Sequence, residues 1–172
     1  LGNRTEYIRY PSNFKKVCDN LNFYKELLVH NNGSIVLSPA IQLLNIDQLD
    51  KILQWWLEFS GGALGKKFGI SWMAQVWYPT IYNYDILPSD YKSKIADKLL
   101  SSRESFAGHP DIITFYENQI QNLRREVYSE QEKVHFQKAF IKYNDTQDRY
   151  RKGKTWRELL PDLEQSLTKS IK

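Results

Sequence analysis

The chain has 172 residues and a mass of 20.4 kDa, enough for one domain with a buried core, and its 41% apolar, 14% aromatic and 26% charged residues exclude collagen-like, low-complexity and disulfide-scaffold classes. Its apolar runs are only a few residues long, as at Ile35-Val36-Leu37, too short to span a bilayer, and no signal-peptide pattern opens it, so a cytoplasmic protein is expected. The net charge of +4 sits entirely in the second half: residues 1–90 carry 8 cations and 8 anions, residues 91–172 carry 16 and 12.

After Pro11, Ser12 is a candidate N-cap, and Phe14, Val17, Cys18 and Leu21 recur at the i, i+3, i+4, i+7 spacing of one helical stripe. This helix is expected to run to about His30 and to stop at Asn31-Asn32-Gly33. Cys18 lies on the stripe and reads as core, not as a nucleophile. As the only cysteine, it also excludes an internal disulfide and a cysteine-ligated zinc or iron–sulfur site made by this chain alone. Ser34 to Ser38 is short, β-branched and apolar on consecutive positions, as in a strand covered on both faces. Asn45 or Asp47 caps a second helix carrying Leu49, Ile52, Leu53, Trp56 and Leu57, and Gly61, Gly62, Gly65 and Gly69 break the chain after it. A second strand is expected over residues 70–78, ending at Pro79.

Helix, strand, helix, strand is the order of a βαβ arrangement with a parallel sheet and right-handed crossovers. Gly61 to Gly65 is not a phosphate loop, because it follows a helix and lacks the Lys-Ser/Thr ending. From Pro88 onward the pattern is helical. Tyr91, Ile95 and Leu99 are four apart, Pro110 opens a stretch with Ile113, Tyr116, Ile120 and Leu123, and Ser129 with Glu132 forms a capping box before Phe136, Phe140 and Tyr143. Thr155 with Glu158 forms another before Pro161. The expected layout is an α/β part, residues 1–87, joined to an all-helical region, residues 88–172.

Ligands gather beyond the carboxyl ends of parallel strands, where loops converge polar groups. That edge points to Gln42 and Asn45 after the first strand, and to Tyr78, Thr80, Tyr82 and Asn83 after the second. Gln42 and Asn45 suit a ribose or another small ligand, while Asn45 suits a helix cap equally well. His30, His109 and His135 show no metal-ligand spacing, and Ser34, Ser38 and Ser71 sit in no nucleophile elbow. Arg149, Arg151, Lys152, Lys154 and Arg157, with Tyr150 and Trp156 interleaved, form a phosphate-binding pattern, although nearby acids such as Asp145 and Asp148 suit a local ion-pair network. The residues thus offer a ligand-binding edge and no catalytic set.

Glu6-Tyr7-Ile8-Arg9-Tyr10-Pro11, followed by Phe14 and by Asn20-Leu21, resembles the segment after the fourth barrel strand of radical SAM proteins of the peptide-modifying, twitch-domain kind. Ser34 to Asn45 resembles the fifth strand and its exit, and Ile70 to Pro79 the sixth. Phe140-Ile141-Lys142-Tyr143-Asn144, with Trp156 and Leu160-Pro161-Asp162-Leu163, is similar to the end of twitch-type chains. The Ser-x-Asp-Gly turn that precedes such an arginine stretch is missing, as are the extra cysteines that hold an auxiliary cluster in larger relatives. The resemblance implies the C-terminal half of a partial (β/α)6 TIM-like barrel followed by a helical tail. It also implies a parent protein whose absent N-terminal half holds a 4Fe-4S cluster in a Cys-x3-Cys-x2-Cys loop. There S-adenosylmethionine is cleaved to a 5′-deoxyadenosyl radical that attacks a peptide or small-molecule substrate. In that reading Arg9 supports the cofactor, with an ion pair to Glu6 as its structural alternative. Gln42 and Asn45 contact the ribose or methionine side, and Val76 to Tyr78 lie beside adenine. The opening Leu1 and the single methionine, Met73, agree with a piece of something longer, catalytically inert alone. A second reading is a non-catalytic α/β binding module whose basic helical end contacts nucleic acid or a partner protein.

Overall fold

The computed structural model describes residues 1–62, 64–71 and 75–172, with the side chain of Val29 excepted. Among the described residues, eight α-helices follow in order: α1 (Gly2–Ile8), α2 (Phe14–His30), α3 (Leu49–Ser60), α4 (Ser89–Ser102), α5 (Pro110–Arg124), α6 (Glu130–Asp148), α7 (Trp156–Leu159) and α8 (Pro161–Ser170). Two strands, β1 (Ile35–Leu37) and β2 (Phe68–Ile70), flank α3 and pair in parallel with Ile35 opposite Phe68 and Leu37 opposite Ile70.

Local chemistry sets most boundaries. The two expected capping boxes form: Ser129 with Glu132 opens α6, and Thr155 with Glu158 opens α7. Pro110 occupies the first turn of α5, where its missing N–H costs nothing. Gly61, at φ +70°, closes α3 in the left-handed conformation. The cap of α2 is Asn13 and not Ser12, because the Asn13 side chain accepts the Lys16 N–H at 2.9 Å while the Ser12 N–H turns back to the Arg9 carbonyl.

About two thirds of the residues are helical and the sheet has only two short strands, which overturns the α/β expectation of half a partial (β/α)6 barrel. The physical reasons are local. The second strand lies earlier than expected and closes at Ile70; beyond it only an isolated parallel bridge, Ile41 to Gln75, continues the pairing. Part of the expected span, residues 72–74, lies outside the described residues. Glu6-Tyr7-Ile8, expected after a strand, is the last turn of helix α1, because Tyr7 and Ile8 pack into the helical body.

One apolar core holds these elements. It joins Tyr7 of α1 and Leu49 and Leu53 of α3 to Ile95 and Leu99 of α4, Phe140 of α6, Trp156 of α7 and Leu163 and Leu167 of α8. Residues 84–87 sit in its middle, with Tyr84, Ile86 and Leu87 inaccessible to solvent. The sheet packs on α3 through rings: Phe68 meets Trp56 at 6.3 Å and Phe59 at 5.8 Å, both edge to face. Helix α2 is different, since Val17, Phe23, Tyr24 and Leu27 are exposed, and Cys18, expected in the core, is only half-buried. Among the described residues no helix is long and apolar enough to cross a membrane.

Candidate functional site

The parallel register decides which edge of β1 is spent. The Ile35 N–H donates to Lys67 O at 2.9 Å and Leu37 O accepts from the Ser71 N–H at 2.7 Å, so β1 meets β2 through Ile35 and Leu37. The N–H and C=O of Val36, between them, therefore face the opposite edge, which carries no strand among the described residues.

Helix α1, the start of α2, and α3 close around that edge and leave a cavity of about 610 Å³. Small-molecule sites span about 300–1,000 Å³. Its apolar wall includes Phe14, Ile52, Trp55 and Trp56, with Phe14 and Trp55 in ring contact at 5.7 Å. Its polar wall includes Arg4, Arg9, Ser12, Gln42, Asn45 and Gln48.

Three of the five residues singled out for a cofactor therefore share one cavity, in different states. Arg9 is exposed and, among the described residues, makes no side-chain hydrogen bond or ion pair. The alternative pair with Glu6 does not form, because Glu6 Oε1 accepts the Phe14 N–H at 2.8 Å. Gln42 is 8% exposed and its side-chain amide forms no hydrogen bond among the described residues, which leaves its donor and acceptor at the wall. Asn45 is committed to the loop. Its Oδ1 accepts the Gln42 N–H at 2.8 Å and its Nδ2 donates to Ala40 O at 3.0 Å, which holds Gln42 in place; it forms no side-chain helix cap. Val76 and Tyr78 are not in this cavity: the Val76 N–H donates to Ile41 O at 2.8 Å beside the bridge, and the Tyr78 ring points into solvent at 89% exposure.

No family model, curated protein or solved structure matches this chain.

Several groups in the wall escaped the sequence reading. Arg4 is anchored by Asp47 at 2.5 Å, a pairing across 43 residues that no local pattern announces. Trp56 was legible only as a core position, yet its indole Nε1 is buried without an acceptor, as Ser12 Oγ is buried without a partner.

Elsewhere two buried polar clusters are internally hydrogen-bonded. Asn144 Oδ1 accepts from the hydroxyls of Tyr7 at 3.1 Å and Tyr82 at 3.2 Å; burial, and then Asp148 nearby, push the Tyr7 phenol well above its ordinary range. Asp145 accepts from Arg157 and from Trp156 Nε1 at 2.9 Å, and the guanidinium holds its carboxyl below the usual carboxylate range. The basic segment is thus divided, with Arg157 spent on Asp145 while Arg149, Lys152 and Lys154 have no ion pair among the described residues. Among those residues no group of three or more His, Cys, Asp or Glu side chains could hold a metal ion. With Cys18 alone on α2, the residues present do not fit a four-iron cluster.

Proposed function

We propose that this chain is the carboxyl-terminal part of a radical SAM enzyme, supplying cofactor-side and substrate-side walls while the cluster cysteines lie in a separate N-terminal half. The observation that supports this reading is the convergence of Arg9, Gln42 and Asn45 on one cavity beside the open edge of β1. The setting in this reading is cytoplasmic, the substrate a peptide or small molecule, and the isolated chain inert.

Each wall residue has a task that its chemistry suits. The Arg9 guanidinium presents a planar fork able to grip both oxygens of an amino-acid carboxylate. The Gln42 amide offers a donor and an acceptor to ribose hydroxyls, and Asn45 fixes the loop that carries it. Phe14, Trp55 and Trp56 give the cavity an apolar side that keeps water away from a bound molecule. In the parent, the absent N-terminal half would hold the four-iron cluster that supplies the radical chemistry, and the residues of this chain would position S-adenosylmethionine.

The test is the parent protein. Its reading frame upstream of Leu1 should encode a Cys-x3-Cys-x2-Cys loop, and the anaerobically purified product should bind iron and cleave S-adenosylmethionine. A parent without that loop, or one that binds iron yet leaves S-adenosylmethionine intact, overturns the reading.

A further inference from the structure

We infer a second ligand site, for a phosphomonoester group, in the cavity of about 410 Å³ between the α1–α2 turn and the loop leading into α7. It shares only Ser12 with the cavity described above and does not depend on the function proposed for it.

The charge in its wall is uncompensated. Arg151, Lys152 and Lys154 line it against the single carboxylate of Glu6, which is already engaged by the Phe14 N–H. None of the three cations has an ion pair among the described residues, in contrast to Arg157 a few positions on. The surplus is two positive charges. That matches a phosphomonoester, which carries about −1.5 to −2 at neutral pH, better than a monovalent carboxylate.

The site is also organised before any ligand arrives. Arg151 Nη1 donates to Tyr7 O at 3.1 Å, and the guanidinium lies 4.7 Å from the Tyr7 ring centre and 5.6 Å from that of Tyr10. Those contacts fix the plane and leave the other N–H donors of the fork unused. Gly153, at φ +116°, lies in a bend between the two lysines, and both line the same cavity. Tyr10 remains 48% exposed and offers a flat face to whatever carries the phosphate. Such a face suits an aromatic group, as in a nucleoside monophosphate.

The experiment titrates the chain with inorganic phosphate, AMP and acetate, following backbone amide shifts at Gly153 by NMR at fixed ionic strength. Saturable shifts are expected with AMP binding most tightly, phosphate next and acetate at least tenfold weaker. The double variant Lys152→Ala/Lys154→Ala removes two side chains without ion pairs and is expected to fold normally; it should weaken phosphate and AMP at least tenfold. Tyr10→Ala should abolish the advantage of AMP over phosphate. Acetate binding as well as phosphate, no saturable shift with phosphate, or an unchanged affinity in the double variant overturns the inference. So does a single-stranded oligonucleotide without terminal phosphate that binds more tightly than AMP.

Discussion

Asp85 shows how one buried carboxylate ties stability to pH. It is inaccessible to solvent, with Oδ2 accepting from Gln75 Nε2 at 3.0 Å and Oδ1 unpartnered, beside Asn83 whose Nδ2 is also unpartnered. Burial pushes its carboxyl up, only partly countered by the Gln75 hydrogen bond and the charges of Arg125 and Lys92. A carboxyl raised in the folded state contributes fully at pH below the unfolded value, near 4 for an aspartate, and loses that contribution as pH rises through the folded value. Asp85→Asn removes the buried charge and keeps an oxygen for Gln75. It should stabilise the protein by about 1 kcal/mol at pH 7, the difference shrinking toward zero near pH 4. Urea denaturation of both proteins at the two pH values checks this; equal stability at pH 7 would show that folding does not raise the Asp85 carboxyl and that its burial carries no net cost.

At the scale of elements, the boundaries set by short-range chemistry are the ones a sequence displays. Gly61 closes α3 with nothing within 4 Å of where a Cβ would stand, so Gly61→Ala should cost about 1 kcal/mol through backbone strain alone. Gly65, with a negative φ and equally open space, should accept alanine without loss. Chemical denaturation of the two variants separates the cases. The capping boxes and Pro110 are legible for the same reason, each needing only residues three positions apart or fewer. Helix α1 was not legible, because what holds it is distant: Arg4 to Asp47, Tyr7 to Asn144, and Arg151 to the Tyr7 carbonyl. The first strand and the parallel sense were legible, but the second strand was expected over residues 70–78 and lies at Phe68–Ile70, where it runs beside Ile35-Val36-Leu37. In the candidate site, Gln42 and Asn45 followed from the rule about strand ends. The contributions of Arg4, Ser12 and Trp56 depend on which helix folds over the edge, and that is decided by packing across the whole chain.

The molecule as a whole is closed by an ionic hub that sequence inspection passes over. Lys92 of α4 and Lys133 of α6 are each 1% exposed, and Glu126, between α5 and α6, bridges them: Lys92 Nζ lies at 3.2 Å, and Lys133 Nζ is in direct contact. Lys92 also donates to Arg125 O at 2.6 Å, while Lys133 reaches Ser89 Oγ at 3.0 Å and Glu130 at 2.7 Å. Burial works against the Lys133 ammonium, but the hydrogen bonds it donates to Glu126 and Glu130 outweigh it and hold its pKa above the ordinary lysine range. Removing the bridging carboxylate leaves the buried Lys92 ammonium without its ion pair, while Lys133 keeps Glu130. Because Glu126 is itself half-exposed, Glu126→Ala should cost about 1–2 kcal/mol, whereas the combined Glu126→Leu, Lys92→Met, Lys133→Met variant should lose little or gain stability. Thermal unfolding of the two variants distinguishes a hub that stabilises from one that only fixes how α4, α5 and α6 meet.

The cavity beside the open edge of β1 has two arginines in its wall, Arg4 paired with Asp47 and Arg9 without an ion pair among the described residues. On the function proposed above, Arg9→Ala in the parent protein should raise the KM for S-adenosylmethionine about tenfold, a loss of about 1.4 kcal/mol of binding, with iron content and unfolding temperature unchanged. An unchanged KM in a protein that still cleaves S-adenosylmethionine would contradict the assignment of this cavity to the cofactor.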